Sequence, residues 1–209
     1  MKALSDAVLG FMAGFVISLG GAAFLSLESK LAGALMFTVG LFAICSFGWN
    51  LFTGKLCYSI GKKPGYLGFL TLVWLANFAG AAAGAVLLRL TRLTGAVERA
   101  QELCAVKLGD GLLSVFILAV FCNVLIYMAV EGYRSIPYEL GKYLAVFFGV
   151  SVFVVCGFEH CIANMFYITA AGMWSGEALV FILVNTAGNA AGGLLLPALG
   201  HIARLGGEK

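Results

Sequence analysis

Apolar residues run through this chain in long blocks separated by short polar clusters, the pattern of a polypeptide that crosses a bilayer repeatedly. Blocks free or nearly free of charge lie at 7–27, 31–54, 66–88, 111–130, 143–176 and 178–200. Each is long enough to cross roughly 30 Å of hydrocarbon as a helix. Extended to their flanking polar residues, the blocks predict spans at about 7–27, 31–60, 66–92, 111–131, 142–174 and 177–203 of a single transmembrane domain over 1–209. No clear small-residue cleavage site follows Met1-Lys2-Ala3-Leu4-Ser5-Asp6, so the first block is read as a retained span rather than a signal peptide.

Two blocks are interrupted. The second contains Gly48-Trp49-Asn50-Leu51-Phe52-Thr53-Gly54, and the fifth contains Gly157-Phe158-Glu159-His160-Cys161-Ile162-Ala163-Asn164. An acid, an imidazole and an amide at bilayer depth cost several kcal/mol unless they are paired or line a wet cavity, which makes His160 the leading candidate for function. A histidine satisfied by Glu159 or by a backbone carbonyl is the competing reading. The interruptions repeat at an offset of about 110 residues, as do Asn77-Phe78-Ala79-Gly80 in the third block and Asn189-Ala190-Ala191-Gly192-Gly193 in the sixth. Three spans per half is an odd number, so the second half must run inverted through the membrane. The expected fold is therefore an all-α integral membrane protein, six transmembrane helices as an inverted 3+3 repeat with broken second and fifth helices. Gly80, Gly84, Gly188, Gly192 and Gly193 read as sites of close helix packing.

Composition agrees: 62% of residues are hydrophobic, 11% are charged, and the mean hydropathy is +1.01, which excludes a soluble globular domain. The net charge of +3 is dispersed, and the absence of a basic run speaks against nucleic acid as a partner. With six spans both termini share one side, which holds Lys2, Lys55, Lys62, Lys63, Arg134, Lys142, Arg204 and Lys209; the other holds Lys30, Arg89, Arg92, Arg99 and Lys107. That bias predicts cytoplasmic termini, with Lys142, Tyr143 and Arg134 as interface anchors. The cysteines at 45, 57, 104, 122, 156 and 161 lack CxxC spacing; five fall within or beside apolar blocks, where buried thiols read as small hydrophobes. No phosphate-binding loop, hydrolase triad or metal-ligand set is visible, so neither an enzyme nor a bound metal or cofactor is expected.

The chain resembles the formate/nitrite transporter family of formate, nitrite and hydrosulfide channels. The resemblance covers nearly its whole length and is carried by Gly157 through Phe166, Leu51-Phe52-Thr53-Gly54, Cys122-Asn123, Gly141-Lys142, and Gly188-Asn189 with Gly192-Gly193. It implies an aquaporin-like protomer in a homopentamer of the inner (plasma) membrane, with one pore per protomer. It further implies that His160 is the central histidine, Lys107 the vestibule lysine, and Asn123 and Asn189 the pore asparagines. Phe37, Leu41 and Ile126 would form the cytoplasmic-side constriction, Phe153 the periplasmic-side one, and Leu51, Phe52 and Thr53 a flexible gating loop. One departure is Asn50, where the family usually carries an acid.

Small monobasic anions cross an apolar constriction at far lower cost as neutral acids than as bare ions. The expected function is a channel or transporter for such anions, formate first and nitrite or hydrosulfide close behind, passing as or with a proton. Lys107 would draw the anion in, and His160 and Thr53 would hydrogen-bond the neutral acid. Glu159 is expected to brace the helix break by accepting backbone N–H groups, and Thr53 to cap the fragment that follows it. Asn123 and Asn189 suit interhelical hydrogen bonding and pore lining equally. Two rival functions are a membrane-embedded thiol redox protein using Cys156 and Cys161, and an aquaporin-like channel for neutral solutes. The first lacks CxxC geometry and the second lacks Asn-Pro-Ala motifs.

Overall fold

The computed structural model describes residues 1–207, and side chains as far as residue 203; the Arg204 side chain and Lys209, counted above among the basic residues, lie outside. The described residues form helices α1 (Lys2–Ser26), α2 (Lys30–Phe47), α3 (Phe52–Leu56), α4 (Gly65–Arg89), α5 (Thr94–Leu108), α6 (Leu112–Ser135), α7 (Glu139–Cys156), α8 (Cys161–Ala171) and α9 (Gly176–Gly207). Six of these, α1, α2, α4, α6, α7 and α9, are long and apolar enough to cross a membrane. This is a multi-pass, all-helical membrane protein.

Helix starts differ from expectation where charge misled. The first helix begins at Lys2, ahead of the apolar block, with Asp6 in its early turns. The 15-residue α5 lies between the third and fourth expected spans, where no helix was expected. Its sequence alternates apolar positions with Glu98, Arg99, Glu102 and Lys107, too polar for a span but suited to a helix that buries Ala96, Ala100 and Cys104 on one face.

The most extensive contacts join α1 to α4 and α6 to α9. Both pairs depend on glycine at the crossing. A Cβ on Gly14 would overlap the backbone of Asn77, and one on Gly192 would overlap the backbone of Val120. The backbones approach because no side chain intervenes, which is the packing that the glycine clusters predict. Helix α8 is the most enclosed element; ten of its eleven residues are buried, against α4, α5, α1 and α9.

Candidate functional site

Helix α2 stops at Gly48 and α7 at Gly157, both in the left-handed conformation (φ 72° and 73°) that glycine adopts without a Cβ penalty. Three residues follow each stop before the next helix begins. The turns are built alike, with partners displaced by 109 residues (Gly48 to Gly157). Trp49 N–H donates to Ile44 O and Phe158 N–H to Phe153 O; Asn50 N–H donates to Leu9 O and Glu159 N–H to Leu118 O.

An extended segment inside a bilayer leaves backbone groups that water cannot satisfy. Two buried amides meet that need. Asn77 Nδ2 donates to Gly10 O (2.7 Å) and Asn50 O (2.8 Å), while its Oδ1 accepts from Phe52 N–H (2.8 Å). Asn189 does the same at the other break: Nδ2 donates to Ala119 O and Glu159 O (both 2.8 Å), and Oδ1 accepts from Cys161 N–H (2.9 Å). Each amide, fully buried, ties a break to the helix behind it. Both polar atoms of the Asn189 side chain thus bond to backbone.

His160 stands between α7 and α8 and caps the latter; its Nδ1 accepts from Ala163 N–H at 3.1 Å. With Nδ1 occupied as an acceptor, the proton of the neutral ring sits on Nε2. Nε2 lies 3.0 Å from Thr53 Oγ1, so the ring donates and the hydroxyl accepts. The imidazole is 2% exposed and stacks on Phe153 (centroids 5.7 Å apart, planes at 17°), which meets Phe37 edge-on at 5.9 Å. Thr53 does not cap α3. The cap position is Leu51, which makes no side-chain bond, and Phe52 and Thr53 are already helical. Of the three residues expected to form a flexible loop, only Leu51 lies outside a helix.

Asn123 supports this centre from behind, its Nδ2 donating to Asn189 O (2.7 Å) and Thr53 O (3.3 Å). Its Oδ1 is buried without a partner. Glu159 does not accept the backbone N–H groups expected of it. Its carboxylate accepts from side chains, Lys107 Nζ and Asn164 Nδ2, both at 2.6 Å, and the backbone of the break is held instead by Asn189. The Lys107 and Glu159 side chains are 11% and 4% exposed, so the ion pair is nearly dehydrated.

Two cavities approach the His160–Thr53 pair from opposite ends. One, of about 80 Å³, is lined by Phe37, Lys107, Phe153, His160 and Asn164. The other, of about 390 Å³, is lined by Leu41, Leu51, Lys55 and Arg134. Phe37 and Leu41, one turn apart on α2, face different cavities. Between them lies a closed layer in which Phe37, Leu41, Leu51, Thr53 and His160 are each at most 2% exposed. Ile126 is buried in α6 and lines neither cavity.

Asn77, Asn164 and the Asn50–Asp6 contact (Nδ2 to Oδ1, 3.5 Å) were not singled out as site residues by the sequence. Asn77 did carry a signal, the offset that pairs it with Asn189. Asn164 lies within the most specific motif but had no role there.

Residues 1–203 match the family described as "Formate/nitrite transporter". A "Probable formate transporter" of Methanothermobacter thermautotrophicus is 29% identical, covering 91% of this chain and 85% of its own. The "Uncharacterized transporter YrhG" of Bacillus subtilis is 30% identical, covering 92% and 82%. Among solved structures, a "Pentameric formate channel with formate bound" superposes with a TM-score of 0.85 at 23% identity, covering 100% of this chain and 98% of its own. An "FNT family ion channel" gives 0.82 at 24% identity, covering 96% and 90%. Two turns held by buried asparagines, a histidine sealed between two cavities, and a sequence match along almost the whole chain together identify this protein as belonging to the formate/nitrite transporter family.

Proposed function

We propose that this protein conducts small monovalent anions of weak acids, formate first and nitrite or hydrosulfide close behind, which cross the central layer as, or together with, a proton. The observation that carries the reading is the His160–Thr53 pair, at 3.0 Å, enclosed by apolar side chains between two cavities. A bare anion in that layer meets no countercharge and loses its water, a cost of several kcal/mol or more. A neutral carboxylic acid carries a carbonyl acceptor beside a hydroxyl donor. It can accept from His160 Nε2–H and donate to Thr53 Oγ1, taking over both ends of the bond it displaces.

Lys107 supplies positive charge to the smaller cavity and favours anions there. Its pairing with Glu159 keeps that charge local and ties it to the break that presents His160. Phe153 and Phe37 form the narrow passage on this side, and Leu41 and Leu51 on the other, with Ile126 packed behind. Leu51, Phe52 and Thr53 gate by local movement of the α2–α3 turn. Asn189 and Asn123 act on the pathway by holding His160 and Thr53 in register.

In this reading α2–α3 and α7–α8 are the broken second and fifth spans of an inverted 3+3 repeat, supported by the matching hydrogen bonds at both turns. The protein is an inner-membrane homopentamer with cytoplasmic termini and a pore in each protomer, and it is not an enzyme. The fold it shares with a pentameric formate channel supports the assembly.

Flux in proteoliposomes tests the proposal. Formate, nitrite and hydrosulfide are compared at two pH values about one unit apart, a step that changes the neutral-acid fraction about tenfold above the acid's pKa. The wild-type protein should show a rate that follows the neutral fraction, and His160→Asn and Lys107→Ala should lower flux or alter that dependence. Unchanged flux and unchanged pH dependence in both variants would remove the proposal.

A further inference from the structure

A third cavity, of about 390 Å³, lies beside α3 and shares only Tyr58 with the larger of the two on the transport pathway. Its walls include Tyr58 and Lys62 from the segment after α3, Glu131 on α6, and Leu196, Pro197 and His201 on α9. Glu131 turns its carboxylate to the protein, where Oε2 accepts from the Tyr58 hydroxyl and Oε1 from the Ser135 hydroxyl. The two basic side chains are placed differently. Among the described residues neither the Lys62 ammonium nor the His201 imidazole has an ion-pair or hydrogen-bond partner.

The cavity sits where the apolar blocks give out. The blocks of α6 and α9 end at residues 130 and 200, and Lys62-Lys63-Pro64 precedes the block that opens at 66. This is the level of phospholipid headgroups. From there α9 offers an apolar track into the bilayer. Leu183, Ala187, Ala191, Leu195 and Leu199 are exposed at four-residue spacing, so they share one side of the helix and lead up to the turn that carries His201. A soluble anion would gain the two donors and nothing from the track; a phospholipid uses both.

The geometry points to a binding site for an anionic phospholipid, its phosphate held by Lys62 and His201 and an acyl chain laid along α9. Such a lipid also buttresses α3. Cys57, 2% exposed, lines the cavity and donates its Sγ–H to Thr53 O at 3.2 Å. A filled cavity therefore supports the turn of α3 that keeps Thr53 3.0 Å from His160. Lipid binding stands independently of the transport reading; its effect on flux rests on that reading.

Thermal unfolding of the full chain in mixed micelles tests the site, with phosphatidylglycerol compared with phosphatidylcholine at the same mole fraction. Phosphatidylglycerol at about tenfold its dissociation constant should raise the midpoint by about 3–6 °C. Lys62→Gln and His201→Gln should each remove roughly half or more of that gain and leave the midpoint in phosphatidylcholine unchanged, while Lys62→Arg keeps it. Lys142→Gln, which removes a lysine paired with Glu139 elsewhere, should also keep it. A gain that survives Lys62→Gln and His201→Gln, or that Lys142→Gln reduces equally, would overturn the site. So would the same gain from inorganic phosphate or glycerol 3-phosphate, which lack the acyl chain. In liposomes, formate flux should rise with phosphatidylglycerol in the wild-type protein and not in Lys62→Gln. Flux indifferent to the lipid, with the stability gain present, would overturn the support of α3. A lipid-dependent midpoint in a protein that carries no formate would leave the site standing and remove the transport reading.

Discussion

Replacing Asn189 with alanine removes a side chain that touches only backbone, and the structure sets the size of the effect. Three groups lose their partner: Ala119 O, Glu159 O and Cys161 N–H, all at 2.8–2.9 Å from the amide. Each buried backbone group left unsatisfied costs about 1–3 kcal/mol, so the simple sum is about 3–9 kcal/mol. Ala119 O lies within a helix and keeps its second lone pair engaged, which places the expectation at the lower end, about 3–5 kcal/mol. Asn123→Ala is the internal standard. It removes donors from Asn189 O and Thr53 O, and it relieves an Oδ1 that has no partner, so it should cost about 1–2 kcal/mol. Asp at 189 should not rescue, since its second oxygen would face two carbonyls. Unfolding by SDS titration in mixed micelles measures the stabilities, and formate flux in liposomes reads the position of His160. Equal losses in the two variants, or a loss below about 1 kcal/mol for Asn189→Ala, would refute the assignment of this amide to the break.

Three further outcomes are expected. Lys107→Ala strands a 4%-exposed Glu159 carboxylate with Asn164 as its remaining donor and should cost about 3 kcal/mol, while Lys107→Ala/Glu159→Gln should recover more than half; SDS unfolding of both checks this. Thr53→Val keeps the volume but removes the acceptor for His160 Nε2–H, so formate flux should fall at least tenfold while Thr53→Ser stays within about threefold of wild type, as measured in liposomes. Gly14→Ala drives a methyl group into the Asn77 backbone and should separate α1 from α4, lowering stability by about 1–3 kcal/mol and disturbing the α2–α3 turn that Asn77 holds; SDS unfolding and flux report the two effects.

The spans were legible in the sequence because a bilayer demands about 20 consecutive apolar residues and little else produces them. His160 was legible for the complementary reason, since an imidazole is costly where lipid tails would be. Helix α5 was not, because Glu98, Arg99 and Glu102 mark an amphipathic interface helix no differently from a polar loop. Thr53 was placed near the centre by resemblance, yet its position inside α3 rather than at the cap depends on where the chain turns after Gly48. The partners of Glu159 lie 52 residues before it, at Lys107, and five after it, at Asn164. Long-range pairing of that kind leaves no periodic trace. Asn77 shows the same limit: its amide reaches Gly10, Asn50 and Phe52, and only folding brings them within one hydrogen-bond radius.

The two turns share a scaffold and differ in chemistry. Displacement by 109 residues takes Gly48 to Gly157, Phe52 to Cys161 and the backbone of Leu9 to that of Leu118. It also takes Leu51 to His160 and Asn50 to Glu159. At the first turn the residue before the short helix is a leucine, which can neither cap nor exchange a proton. At the second it is a histidine that uses one nitrogen to hold its helix and aims the other across at Thr53. The backbone at both turns is held by the same device, a buried asparagine, and at the second turn His160 adds a helix cap that Leu51 cannot supply at the first. A polar, titratable group at 160, facing Thr53 where the first turn has only leucine, is thus the chemical difference between two turns of one backbone plan.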